Sequence, residues 1–154
     1  MSDDDDVIAG RPPGLPVLRG QAASTGAVAL GGALGALARW ALLAVWPAPP
    51  GGFPVSTFAV NVSGCLLMGV LVVLVTEARE AHPILRPFFG AGVLGGFTTF
   101  SSYAVEAQQL VGGTHLAVAA LYLVLTVVGA VVAVVIGLAI TRRAVGLRRP
   151  VARS

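Results

Sequence analysis

Charge is what this 154-residue chain has least of: Asp, Glu, Lys and Arg make up 11% of it, against 56% hydrophobic residues and a mean hydropathy of +0.87. So few charges exclude an ordinary soluble domain of this size and fit an integral membrane protein. Lysine is absent, so all ten basic residues are arginines. Cysteine occurs once, as Cys65 in an apolar run, which excludes an internal disulfide and offers no thiolate cluster for a metal. The two histidines, His82 and His115, fall at the ends of separate apolar runs and read as ordinary interfacial residues. No set of side chains suggests covalent chemistry or nucleotide hydrolysis, so the chain does not read as an enzyme. Gly90-Ala91-Gly92-Val93-Leu94-Gly95 matches the spacing of a dinucleotide-binding loop, but that loop needs a preceding strand and a soluble βαβ unit, and neither is present.

Long apolar runs are what the chain does have. Four of them, Ala22–Trp46, Pro54–Thr76, Pro87–Val111 and Leu116–Thr141, reach the roughly 17–25 residues that a membrane-spanning helix requires. The expected organisation is an all-α membrane protein with three parts: a disordered tail (1–21), a four-helix transmembrane domain (22–141) and a basic tail (142–154). The first part contains Asp3-Asp4-Asp5-Asp6 and Pro12-Pro13 and is too polar and Pro/Gly-rich to pack. The first apolar run has no obvious small-residue cleavage site behind this leader, so it reads as a retained span rather than a signal peptide. With four spans, Arg11, Arg19, Arg79, Arg86, Arg142, Arg143, Arg148, Arg149 and Arg153 share one side, while the connections Pro47–Phe53 and Gly112–His115 carry no arginine. The positive-inside rule then puts both termini in the cytoplasm, with the last arginines anchoring to anionic lipid rather than to nucleic acid.

The third run carries the strongest functional signal. Gly90 to Ser101 puts glycines and hydroxyls in mid-membrane, and Gly95–Thr98 lies roughly 14–18 Å along the helix from Arg86, near the middle of a core about 30 Å thick. A helix broken at that depth is tolerated only where protein buries the freed backbone or where it lines a polar path or an ion site. Freed carbonyls suit a small hard cation, whereas half-helix N-termini and hydroxyls suit an anion.

Other polar residues recur on helix faces. Gly31 and Gly35 form a small-xxx-small contact, and Arg39 is either a snorkelling arginine or a positive vestibule for anions. Thr57, Asn61, Gly64 and Met68 share a face, and the Asn61 amide needs either an interhelical bond or an ion as its partner. After the break come Phe100, Ser101, Ser102, Tyr103 and Glu106. The rings could turn electropositive edges toward an anion, and Glu106 is either a proton carrier or a partner for a hydroxyl or arginine. Tyr122 and Thr126 stand one turn apart on the last run and extend the polar track.

In order along the chain, Gly31-Gly32-Ala33-Leu34-Gly35-Ala36-Leu37-Ala38-Arg39-Trp40, Ser56-Thr57-Phe58-Ala59-Val60-Asn61-Val62-Ser63-Gly64-Cys65 and Gly95-Gly96-Phe97-Thr98-Thr99-Phe100-Ser101 resemble the Fluc (CrcB) family of small bacterial fluoride channels. The resemblance covers about Gly31 to Thr141. It implies an antiparallel dimer of four-helix subunits in the bacterial inner membrane, with two narrow pores and passive export of fluoride that protects against its toxicity. By the same resemblance, carbonyls of Gly95 and Thr98 would hold a structural sodium ion at the dimer centre. The implied fluoride pathway comprises Asn61, Phe100, Ser101, Ser102, Tyr103, Tyr122 and Thr126, with Arg39 at the vestibule. Several weak sites in series suit a small, strongly hydrated anion, because each replaces lost water without trapping the ion.

Two departures modify that expectation. The family pattern usually has a second phenylalanine where this chain has Tyr103, which puts a hydroxyl on that ring and alters the expected pore. The one-sided arginines favour a single orientation, hence a heterodimer with a homologous subunit of opposite bias rather than a dual-topology homodimer. The alternatives are a small multidrug-type proton-coupled exporter and a non-conducting partner subunit. The exporter would be expected to carry a carboxylate in its first helix, and this first helix has none.

Overall fold

The computed structural model describes residues 16–76 and 83–146, with side chains from residue 21 onward. Six helical segments follow in order: α1 (Pro16–Val45), α2 (Val55–Thr76), α3 (Arg86–Leu94), α4 (Gly95–Phe97), α5 (Phe100–Gly112) and α6 (Leu116–Ala144), with no strand among the described residues. Within these, Gln21–Val45, Val55–Thr76 and Leu116–Ala144 are each long and apolar enough to cross a membrane. The remaining expected span is α3 to α5, interrupted as its composition requires.

Two boundaries differ from expectation. The tail expected through residue 21 is helical from Pro16, whose fixed φ suits a first helical turn, so α1 begins inside it. Residues 1–15, with the acidic run and Arg11, lie outside the described residues, as do Arg79, His82 and 147–154 with Arg148, Arg149 and Arg153. At the other end α6 continues past residue 141 through Arg142 and Arg143, which sit in its last turn where cations complement the helix dipole.

Glycines decide how the helices pack. A Cβ on Gly31 would meet the Phe88 carbonyl, one on Gly35 the Val93 carbonyl, and one on Gly96 the Gly32 carbonyl, so α1 lies backbone to backbone along α3 and α4. Gly69 of α2 and Gly137 of α6 meet in the same way, each facing carbonyls of the other helix. Lipid is as apolar as leucine, so such close approach, rather than hydrophobic burial, is what holds membrane helices together. Accordingly Leu30, Trp40, Val124 and Val131 stay exposed on the helix bundle. The buried cluster is small: Tyr103, Ala107, Leu110, Ala119 and Tyr122, backed by Phe53, Phe58 and Val118.

The break falls later than the glycines. Gly95 and Gly96 remain helical, Gly96 with its bare backbone against Gly32 of α1, and the chain extends only at Thr98 (φ −74°, ψ 156°) and Thr99 (φ −146°, ψ 122°). Upstream, α3 is wound wide, with the Gly95 N–H reaching the Gly90 carbonyl five residues back. Downstream, α5 closes on a left-handed Thr114 (φ 65°), with His115 N–H bonded to Leu110 O at 2.9 Å and Thr114 N–H to Val111 O at 3.1 Å.

Candidate ion pathway at the helix break

Thr99 is where the broken helix is tied together. Its N–H donates to Asn61 Oδ1 at 2.8 Å, and its carbonyl accepts from Asn61 Nδ2 at 2.9 Å. One buried amide on α2 therefore pairs with both backbone groups of Thr99, which also fixes which end of the amide is oxygen. The Thr99 hydroxyl accepts from Ser102 N–H at 3.1 Å, the N-cap bond that starts α5. It also donates to Ser102 Oγ at 3.1 Å and lies 3.3 Å from Ser101 Oγ. On the upstream side the Leu94 carbonyl accepts from Thr98 N–H at 3.0 Å and from Thr98 Oγ1 at 2.9 Å. Thr99 N–H, which an unbroken helix would send to the Gly95 carbonyl, goes to Asn61 instead.

A cavity of about 240 Å³ opens beside this break. Asn61 and Cys65 of α2, Thr98 to Phe100 at the break, Tyr103 of α5 and Thr126, Val127 and Ala130 of α6 line it. The structure thus brings four of the sequence-derived pathway residues, Asn61, Phe100, Tyr103 and Thr126, around one space. Thr126 is 5% exposed, and its hydroxyl is buried without any hydrogen-bond partner. An orphaned hydroxyl costs about 1–3 kcal/mol, so a buried one marks a place where something polar belongs. Phe100 is 79% exposed, so most of its ring faces away from the protein rather than into an enclosed pore.

The other pathway candidates lie further along α5. Ser101 and Ser102 line a second cavity with Val105, Glu106 and Gln109. Tyr122 is fully buried and donates to Glu106 Oε2 at 2.7 Å, while Thr57 donates to Glu106 Oε1 at 2.7 Å. Of the two roles open to Glu106, the geometry supplies hydroxyl partners from α2 and α6, tying three helices at one carboxylate. Tyr103 donates to the Leu123 carbonyl at 3.0 Å, so its extra hydroxyl is engaged by α6. Its ring stands 5.7 Å from Phe100 and 5.2 Å from Tyr122, and Phe53 packs edge-on to Tyr122 at 5.3 Å. Arg39 is partly buried with its Nε lacking a partner, and it lines neither cavity. Gly95 is exposed on the chain, and Thr98 is half-buried.

Sequence reasoning passed over Thr99 and Cys65 as site residues and left the Thr57 contact unassigned. Thr99 had a readable signal, a threonine followed by a hydroxyl-rich helical start. Thr57 and Cys65 had none beyond sharing a face with, or standing one turn from, Asn61, because only the packing of α5 and α6 gives them their neighbours.

Fold and site together define a polytopic α-helical membrane protein built around a broken helix. The chain belongs to the CrcB family: the family model described as CrcB-like protein, Camphor Resistance (CrcB), matches residues 26–138. Among curated relatives it is 48% identical over 132 residues to the fluoride-specific ion channel FluC 1 of Streptomyces coelicolor, covering 81% of this chain and 86% of that one. It is 53% identical over 107 residues to FluC 2 of Streptomyces avermitilis, covering 70% and 68%, and 50% identical over 123 residues to FluC 2 of Nocardia farcinica, covering 80% and 88%. These relatives carry the name of a fluoride-specific ion channel, not that of an enzyme.

Proposed function

We propose that this chain is a subunit of a fluoride-selective channel that lets fluoride leave the cytoplasm passively and so protects the cell against it. The observation that carries the reading is a cavity lined by Asn61, by the Thr98–Phe100 break and by Thr126, a residue whose buried hydroxyl has no partner, in a chain about half identical to proteins named for fluoride. Asn61 has a second amide hydrogen beyond the one given to Thr99, and Thr126 has an uncommitted hydroxyl, so two residues that line the cavity keep a spare donor. Phe100 and Tyr103 contribute ring edges, and Ser101, Ser102 and Tyr122 continue the hydroxyl track past Glu106. Arg39 raises the local anion concentration at the vestibule.

The break also suits a structural sodium ion. The carbonyl of Gly95 has lost its helical donor to Asn61, and that of Thr98 belongs to an extended residue, giving the neutral oxygen ligands a hard monovalent cation prefers. When bound there, sodium would supply positive potential beside the anion path. Gly95 is exposed on the single chain, which fits sharing the ion with a second subunit. The arginine asymmetry supports one orientation and hence a heterodimer with an oppositely oriented homologue, and the ordinals in the relatives' names, FluC 1 and FluC 2, are consistent with paired subunits.

The test is fluoride efflux from liposomes, read by a fluoride electrode, with valinomycin setting the voltage and chloride as control. Rapid fluoride-selective efflux, from this chain alone or with an oppositely biased homologue, is the expected result. Silence in both reconstitutions overturns the reading. Tag-accessibility mapping that finds both orientations in comparable numbers overturns the heterodimer.

A further inference from the structure

We infer that Gln109 is a further donor on the anion path, the one that carries fluoride past the Glu106 carboxylate toward the end of the bundle that has no arginine. The inference deepens the fluoride reading and rests on it. Ser102, Glu106 and Gln109 stand at i, i+4 and i+7 on α5, so they share one face. Gln109 lies about 10 Å of helix beyond Ser102, in the last turn of α5.

Two cavities adjoin at these side chains. One, of about 390 Å³, is lined by Ser101, Ser102, Val105, Glu106 and Gln109. The other, of about 220 Å³, lies between the end of α5 and the turn before α2, where Pro49, Pro50, Pro54 and His115 join Glu106 and Gln109 in its wall. A Cβ on Gly51 or on Gly113 would meet the His115 ring, so that ring fills the space between the two connections. Glu106 and Gln109 are the two residues that line both cavities. The second cavity is poor in donors. Its prolines have no N–H, and the N–H groups of Gly52, Gly113 and His115 are given to the carbonyls of Pro49, Gln109 and Leu110. Of the side chains in its wall, the Gln109 amide and the His115 imidazole can donate, and only the amide also lines the first cavity. At the crossing, the Glu106 carboxylate and the negative end of the α5 dipole both disfavour an anion. The Gln109 amide offsets them with its two N–H hydrogens. Its side chain is exposed and makes no hydrogen bond among the described residues, so nothing there holds the amide away from an ion.

The test is fluoride efflux from liposomes containing the full chain, with an oppositely biased homologue where flux requires one, read beside thermal melting in detergent. Gln109→Leu and Gln109→Glu keep roughly the size of glutamine and remove its donors, whereas Gln109→Lys keeps donors at that position. One lost hydrogen bond to the moving ion corresponds to about tenfold in rate, so Gln109→Leu is expected to slow efflux about tenfold. Gln109→Glu is expected to slow it further, because its charge adds to that of Glu106, and Gln109→Lys to retain it. Gln108→Leu, one residue away and in the wall of neither cavity, is expected to leave efflux unchanged. Undiminished efflux in Gln109→Leu and Gln109→Glu, with the wild type conducting, overturns the inference and leaves the fluoride reading standing. Should Gln109→Leu melt early, the two charged variants decide, and equal rates in Gln109→Glu and Gln109→Lys overturn the donor role. A wild type that carries no fluoride under any pairing refutes the fluoride reading and the inference with it.

Discussion

Replacing Asn61 by alanine removes the partner of both backbone groups of Thr99 at once. The two bonds, 2.8 and 2.9 Å, are buried. Interhelical side-chain bonds in membranes average about 0.6 kcal/mol and reach about 1.7, because the unfolded chain in the bilayer finds other partners. Here, however, the loss strands a backbone N–H and a backbone carbonyl in a buried break, at about 1–3 kcal/mol each. The two limits bracket Asn61→Ala at about 1–6 kcal/mol, and the burial of Thr99 favours the middle of that range. Asn61→Asp separates the halves: its carboxylate still accepts from Thr99 N–H but repels the Thr99 carbonyl, so it is expected to be no better than alanine. Thr99→Ala leaves the amide pair intact and removes the N-cap bond, at about 1 kcal/mol, along with the weaker hydroxyl contacts to Ser101 and Ser102. Thermal unfolding in detergent, read beside fluoride efflux, checks the order. An Asn61→Ala protein as stable as wild type, or less damaged than Thr99→Ala, refutes the idea that this amide holds the broken helix together.

Thr126→Val is isosteric and removes the orphaned hydroxyl, so stability is expected to rise by about 1 kcal/mol or more while fluoride efflux falls; a parallel loss of both would show that the hydroxyl has a structural partner. Gly35→Ala drives a Cβ into the Val93 carbonyl and is expected to cost about 1–3 kcal/mol, whereas Gly32→Ala meets nothing within 4 Å and is expected to be tolerated, as detergent melting curves would show. Glu106→Gln leaves Thr57 or Tyr122 facing an amide hydrogen instead of an acceptor. It should therefore impair melting temperature and efflux more than Tyr122→Phe, which removes one donor and leaves the carboxylate its other bond. Tyr103→Phe loses one bond to a carbonyl that remains within a helix, so a cost of about 1 kcal/mol or less is expected, with efflux maintained or increased; a non-conducting Phe variant would show that the hydroxyl serves the path.

Much of the architecture was legible because membrane burial is a property of composition. Runs of 23–26 largely apolar residues have nowhere to go but the bilayer, so the spans were set by hydropathy. The interruption of the third span followed from the same logic, since glycines and adjacent hydroxyls at mid-depth do not continue a helix without consequence. Its location followed only in part: the expected stretch was Gly95–Thr98, yet Gly95 and Gly96 stay helical, Gly96 against α1, and the extension falls at the end of that stretch, on Thr98 and Thr99.

The sequence by itself therefore determined the membrane class, the four apolar runs, the glycine faces and the polar residue types available to an ion, since these depend on local composition and helical period. Only the tertiary structure decided their partners: that Asn61 binds both backbone groups of Thr99, that Glu106 collects Thr57 and Tyr122, and that the Thr126 hydroxyl is left without a partner. Thr57 and Asn61 are 49 and 38 residues distant from these partners, and hydrogen bonds across such separations are set by how helices cross, which side-chain periodicity within any one helix does not encode.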